Sequence, residues 1–157
     1  MDNIELPIEF HDSVKSNTVF NCLKKIELSK PVIFEYGILN FEIPKDKIGE
    51  NEYDYREGKL ASYVCLYEDY ILIDKKRGII NNAQEDMLKT VSEIIGVGVG
   101  LYYSVSLLGI EKNKIKKIAR PAEGKYLDFN FSNVQQLYEC ETKGTTWSDP
   151  ILCTNLD

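Results

Sequence analysis

The chain has 157 residues, 43% apolar and 28% charged, which excludes a disordered or low-complexity polymer and leaves room for one domain with a real core. A net charge of −6 provides no global basic field and argues against free-standing, tight DNA binding. Four cysteines (Cys22, Cys65, Cys140, Cys153) form no C-x-x-C, and the single histidine, His11, is remote from most of them. A Cys/His zinc site is therefore not supported, and free thiols in a cytoplasmic protein are expected. The acidic start has no apolar run of the kind a signal peptide needs.

Asp12–Leu28 reads as an amphipathic helix, with Val19, Phe20, Leu23 and Ile26 as its stripe and Pro31 just past its end. Pro31–Pro44 is β-branched and aromatic and predicts one or two strands broken at Gly37. Lys45–Lys59 is polar, with two glycines, and predicts a loop. Ser62–Asp74 predicts a hairpin turning at Glu68-Asp69. The basic triplet Lys75-Lys76-Arg77 that follows reads as a solvated turn. Ten tyrosines suit half-buried sheet positions better than base stacking.

The longest predicted element begins at Asn82, where Asn82 and Glu85 have capping-box spacing. Met87, Leu88, Val91, Ile94, Ile95, Tyr102, Val105 and Leu108 continue an apolar face, and Gly109 is its stop. Gly96 and Gly100 continue the face of Glu93, where small residues let another backbone come close. Ile94–Ile110 is uncharged and just reaches the lower length for a membrane span. The helix starts in a charged stretch and holds several glycines, so a buried helix in a soluble core is the preferred reading and no membrane is expected. Gly96–Gly100 lies inside the helix and is not a dinucleotide fingerprint.

Glu111–Lys125 is locally basic, with Lys112, Lys114, Lys116, Lys117, Arg120 and Lys125. Lys114–Ala119 predicts a strand, and Arg120–Gly124 a turn. Two short strands then carry Asp128 and Glu141-Thr142-Lys143. Alternation puts Glu141 and Lys143 on one face and Thr142 on the other, and places Phe129 and Phe131 opposite Asp128 and Asn130. Folding back around Asn133–Gln136 brings Asp128 nearly opposite Glu141. Two carboxylates that close repel unless one is protonated or a cation lies between them. Such a pair suits Mg²⁺, which takes one or two carboxylates and keeps waters for phosphate.

Helix, strand, strand with Asp, strand with Glu-x-Lys: this order over about residues 82–144 resembles the restriction-endonuclease-like PD-(D/E)xK nuclease superfamily. The resemblance implies an α+β fold, a long helix followed by a three-stranded mixed or antiparallel sheet of restriction-endonuclease-like type. It divides the chain into a β-rich N-terminal portion (1–81) and a nuclease-like core (82–157). Asp128, Glu141 and Lys143 would be the catalytic set, with Asp128 and Glu141 binding Mg²⁺ (or Mn²⁺), Glu93 an accessory metal acid, and Lys143 orienting the water. Lys116, Lys117, Arg120 and Lys125 would lie near the phosphate backbone. The expected activity is metal-dependent phosphodiester hydrolysis of DNA.

Leu127 stands where the family has proline, a position with no catalytic group. The helix and strand that follow the Glu-x-Lys strand in the family have no counterpart in Gly144–Asp157. The chain is therefore expected to be a fragment, to complete its fold with a second copy or partner subunit, or to be an inactive relative. The alternative function is a non-catalytic interaction subunit that binds a protein partner.

Overall fold

The computed structural model describes residues 3–8, 24–47, 52–118, 127–132 and 137–142. Its fold is α+β, with four helices and three small antiparallel sheets among the described residues.

Strands β1 (Asn3–Pro7) and β2 (Lys25–Ser29) pair antiparallel, with Ile4 opposite Leu28 and Leu6 opposite Ile26. Their apolar residues alternate with polar ones, the period of a half-buried strand. This corrects the helix expected over Asp12–Leu28: Ile26 and Leu28 are two residues apart and share a strand face. The earlier part of that expected helix, Asp12–Leu23, lies outside the described residues. Register sets Glu5 opposite Glu27; Lys25 Nζ at 2.7 Å from Glu5 and Asn3 Nδ2 at 2.8 Å from Glu27 offset the like-charge contact.

The expected strands over Pro31–Pro44 are instead helix α1 (Lys30–Gly37) and a 3₁₀ turn, Ile38–Asn40. Pro31 sits in the first helical turn, where a missing N–H costs nothing. Ile33, Phe34 and Gly37 form the buried side. The expected loop over Lys45–Lys59 contains a 3₁₀ turn, Lys45–Lys47, and helix α2 (Glu52–Gly58). Glu52 and Asp54 favour its N-terminal end, and Arg56 pairs back to Glu52 at 3.1 Å. The expected hairpin over Ser62–Asp74 is replaced by helix α3 (Leu60–Tyr67), the 3₁₀ turn Glu68–Tyr70 and strand β3 (Ile71–Asp74). The hairpin actually joins β3 to β4 (Gly78–Asn81) across Lys75–Arg77. The Asp74 carboxylate accepts the N–H groups of Lys76 and Arg77, both at 2.9 Å, and closes this exposed turn.

Helix α4 (Glu85–Leu108) is the long element predicted from the sequence, and Gly109 ends it in the left-handed conformation (φ 63°). Its start differs. Gln84 is the cap residue, and the Asn82–Glu85 capping box does not form. Asn81 joins strand to helix instead: its Oδ1 accepts Ala83 N–H at 2.9 Å, and its Nδ2 donates to Leu88 O and Ser92 Oγ at 2.8 and 2.9 Å. By length and composition α4 could cross a membrane. In the fold it lies between two apolar clusters. One gathers Ile4, Leu28, Ile33, Phe34, Ile71, Val91 and Ile94; the other gathers Leu39, Val97, Leu101, Ile115, Phe129 and Phe131. Each draws on residues from both sides of position 82.

Strands β5 (Ile115–Lys117), β6 (Phe129–Ser132) and β7 (Leu137–Cys140) form the antiparallel sheet over the second cluster. Among the described residues of the first 81, expected to be β-rich, there are three helices beside four short strands.

Candidate metal and phosphate site

Asp128 lies at the entrance to β6, the central strand of the three. Its backbone is held on both sides. The carbonyl accepts Ile118 N–H at 2.9 Å, and its own N–H donates to Cys140 O at 3.0 Å. The carboxylate accepts a third bond: Thr142 N–H donates to Oδ2 at 3.0 Å. Phe129 and Phe131 anchor the strand beneath it, both fully buried.

The β6–β7 register pairs Phe129 with Cys140 and Asn130 with Glu139. The ladder ends there: the Asp128 N–H also reaches Cys140 O and draws Asp128 level with Cys140, so the expected pairing of Asp128 with Glu141 is not a rung of the sheet, and Glu141 follows one residue on. β7 itself ends at Cys140, so Glu141 and Thr142 follow outside the strand, with Glu141 exposed. The turn Asn133–Gln136 and Lys143 lie outside the described residues. The fields of both acids reach the half-buried Cys140 sulfur. Burial pushes that thiol up, a Ser104 hydrogen bond opposes the rise, and the charges of Asp128 and Glu141 add to it.

Glu93 does not join this pair. It lies on α4 seven positions before Gly100, the helix residue that Thr142 meets, or about 10 Å along the axis. There it faces Lys89 Nζ at 3.9 Å, and its charge acts on the Tyr63 ring. Among the described residues no three His, Cys, Asp or Glu side chains converge to hold a metal ion.

The four phosphate candidates separate. Lys116 is exposed on β5 directly across from Asn130, which shares its strand face with Asp128. Lys117 is committed elsewhere, which corrects its expected role. Its ammonium donates to Asn40 O at 2.7 Å and Asn40 Oδ1 at 2.6 Å, closing the 3₁₀ turn after α1. Arg120 and Lys125 lie outside the described residues.

A second charged cluster had no signal in the sequence. Lys112 pairs with Glu35 of α1, lies 4.0 Å from Glu57 and stands 5.5 Å over the Tyr53 ring. Burial pulls the Lys112 ammonium down, yet the hydrogen bonds to Glu35 and Tyr53 outweigh it and hold the group above its ordinary value. Beside it Arg56 is buried, donating to Phe41 O at 3.1 Å. Spacing shows only the Tyr53–Glu57 and Glu52–Arg56 pairs, because Glu35 is 77 residues from Lys112. The cluster takes one positive charge of the basic segment into the fold.

No family model, no curated protein and no solved structure matches the chain.

Proposed function

We propose that the chain is a restriction-endonuclease-like nuclease that hydrolyses DNA phosphodiesters with Mg²⁺ or Mn²⁺. The observation that supports this reading is that Asp128 and Glu141 flank the same end of the β6–β7 pair, on a sheet packed on a long helix, where both charges act on the Cys140 thiol. A divalent cation relieves the repulsion between two such carboxylates. Asp128 would hold it through a carboxylate already fixed by Thr142 N–H, and Glu141 from the exposed side. The chemistry supplied by a bound divalent cation is polarisation of the scissile phosphate and a lowered pKa for its water. Lys116 presents an exposed ammonium on the same sheet face, suited to the phosphate backbone of the substrate. Lys143, by the resemblance, orients the attacking water. Helix α4 serves as the core helix of a cytoplasmic protein.

The test is cleavage of plasmid and single-stranded DNA with Mg²⁺ or Mn²⁺. Wild type is expected to cut, and Asp128→Ala and Lys143→Ala are each expected to lose cutting while keeping a cooperative melt. No cutting by wild type, together with no metal binding by calorimetry, contradicts the reading.

A second reading is a non-catalytic subunit that keeps this fold to bind a protein partner. The Asp128–Thr142 bond favours it, because a carboxylate that fastens backbone can be retained for structure alone. It predicts a lower melting temperature in Asp128→Ala, where the Thr142 N–H loses its acceptor, with neither metal binding nor cutting by wild type.

A further inference from the structure

We infer that Thr142, seated on Gly100, is a positioning residue that sets the Asp128 carboxylate and Glu141 together. Its effect on cation binding rests on the nuclease reading; its effect on the Asp128 carboxylate does not. Thr142 follows Glu141 directly and precedes Lys143. Its side chain comes so close to α4 that a Cβ on Gly100 would stand 2.8 Å from Thr142 Cγ2 and 3.4 Å from its Cβ. Only glycine at position 100 leaves room for that approach. The seat is made by packing: Thr142 Oγ1 is buried with no hydrogen-bond partner among the described residues.

From this seat the backbone N–H of Thr142 reaches Asp128 Oδ2 at 3.0 Å. The Asp128 backbone is already fixed by Ile118 and Cys140, so the main freedom left to the residue is rotation of its side chain. The Thr142 bond removes that freedom and engages one carboxylate oxygen. Glu141 is one residue away, and any shift of Thr142 carries it along. One contact with α4 therefore governs both acids. Ser104, four residues after Gly100 on the same helix face, adds a second contact to this chain segment, its Oγ lying 3.6 Å from Cys140 Sγ.

The experiment compares wild type with Gly100→Ala, Thr142→Ser and the double variant Gly100→Ala/Thr142→Ser. Two quantities are read: hydrogen exchange of the Thr142 amide without metal, and the Mn²⁺ concentration for half-saturation by calorimetry. In Gly100→Ala the new Cβ displaces Thr142, and its amide is expected to exchange about ten-fold faster or more as the bond to a charged acceptor is lost. The Mn²⁺ midpoint is expected to rise severalfold. Thr142→Ser removes Cγ2 and loosens the seat, so it is expected to move both readouts the same way by less. The double variant removes the clash and is expected to return both toward wild type.

Unchanged amide exchange in Gly100→Ala, or no recovery in the double variant, overturns the inference. Should Gly100→Ala fail to fold, Thr142→Ser decides: wild-type exchange of residue 142 overturns the inference, and faster exchange supports it. Absence of Mn²⁺ binding in wild type removes the nuclease reading alone, because the amide readout still judges the role of Thr142.

Discussion

The carbonyl oxygen of Ile33 occupies the space where a side chain at position 98 would begin: a Cβ on Gly98 would stand 2.3 Å from it. Gly37 makes the reciprocal approach, where a Cβ would meet Ile94 O and Cγ2 at 3.0 Å. Helices α1 and α4 touch through these two glycines, and both apolar clusters are built on that contact. Gly98→Ala is expected to destabilise the protein by about 3 kcal/mol, the upper part of the range for overpacking, because the obstruction is backbone. Gly58→Ala, where a Cβ meets nothing within 4 Å, is expected to raise stability by about 0.4–1 kcal/mol. Urea unfolding of the two variants beside wild type measures both.

The link from β4 to α4 tests where the helix is really fastened. Asn81→Ala leaves Ala83 N–H without its acceptor and removes the donor to Leu88 O and Ser92 Oγ. The expected loss is about 1–3 kcal/mol. Asn82→Ala is expected to change stability by about 0.5 kcal/mol or less, because Asn82 contributes its backbone N–H to Tyr70 O and its side chain does not cap the helix. Similar losses in the two variants would restore the capping-box reading.

These sites show what the sequence could and could not reveal. Helix α4 was legible because its apolar period runs through six turns and stops at a glycine. The β6–β7 pairing was legible because Phe129 and Phe131 alternate with polar neighbours, so one register buries both rings. The N-terminal half misled because Val32, Ile33 and Phe34 favour strands by propensity, while packing against Gly98 rewards a helix. Ile26 fitted a helical stripe three residues after Leu23 and a strand two residues before Leu28; pairing with β1 decided between them. At the site, strand spacing was enough to bring Asp128 and Glu141 to one end of the sheet, but not to foresee the Asp128 N–H bond to Cys140 O. The loss of Lys117 to Asn40 was not legible either, because a carbonyl 77 residues away leaves no trace in a charge count.

Stability is expected to fall on the alkaline side. Burial, then the neighbouring Tyr67 and Glu93, raise Tyr63 above its ordinary 10.0, and burial also raises Tyr36 and Tyr103. Lys112 is held above 10.5 once Glu35 and Tyr53 outweigh its burial. Every one of these groups binds its proton more tightly folded than unfolded. Their contribution is fully present below pH 10 and is lost as pH rises through the folded values. Unfolding midpoints are expected to hold from about pH 8 to about pH 10 and then decline. Tyr63→Phe keeps the ring beside Phe34, Phe41 and Tyr67 and removes the titrating hydroxyl, so its decline is expected to be shallower than that of wild type. An equal or steeper decline would contradict this assignment.

The unpartnered Thr142 hydroxyl supplies a separate test. Thr142→Val keeps the branched shape against Gly100 and removes a buried Oγ1 that has no partner among the described residues. It is expected to be neutral or to stabilise by up to about 1 kcal/mol, since an unpaired buried hydroxyl costs about 1–3 kcal/mol. A clear loss in a thermal melt would show that the hydroxyl is bonded in the folded protein.

The measurement that bears most directly on the cation site is a Mn²⁺ titration followed by paramagnetic broadening of backbone amide signals. The account predicts that the amides of Asp128, Glu141 and Thr142 broaden first and together, while those of Glu93 and Lys89, about two and three helical turns along α4 from Gly100, broaden less at the same concentration. In Asp128→Ala this selective loss is expected to vanish. Uniform broadening across the chain, or first broadening at Glu93, would contradict a cation site built from Asp128 and Glu141.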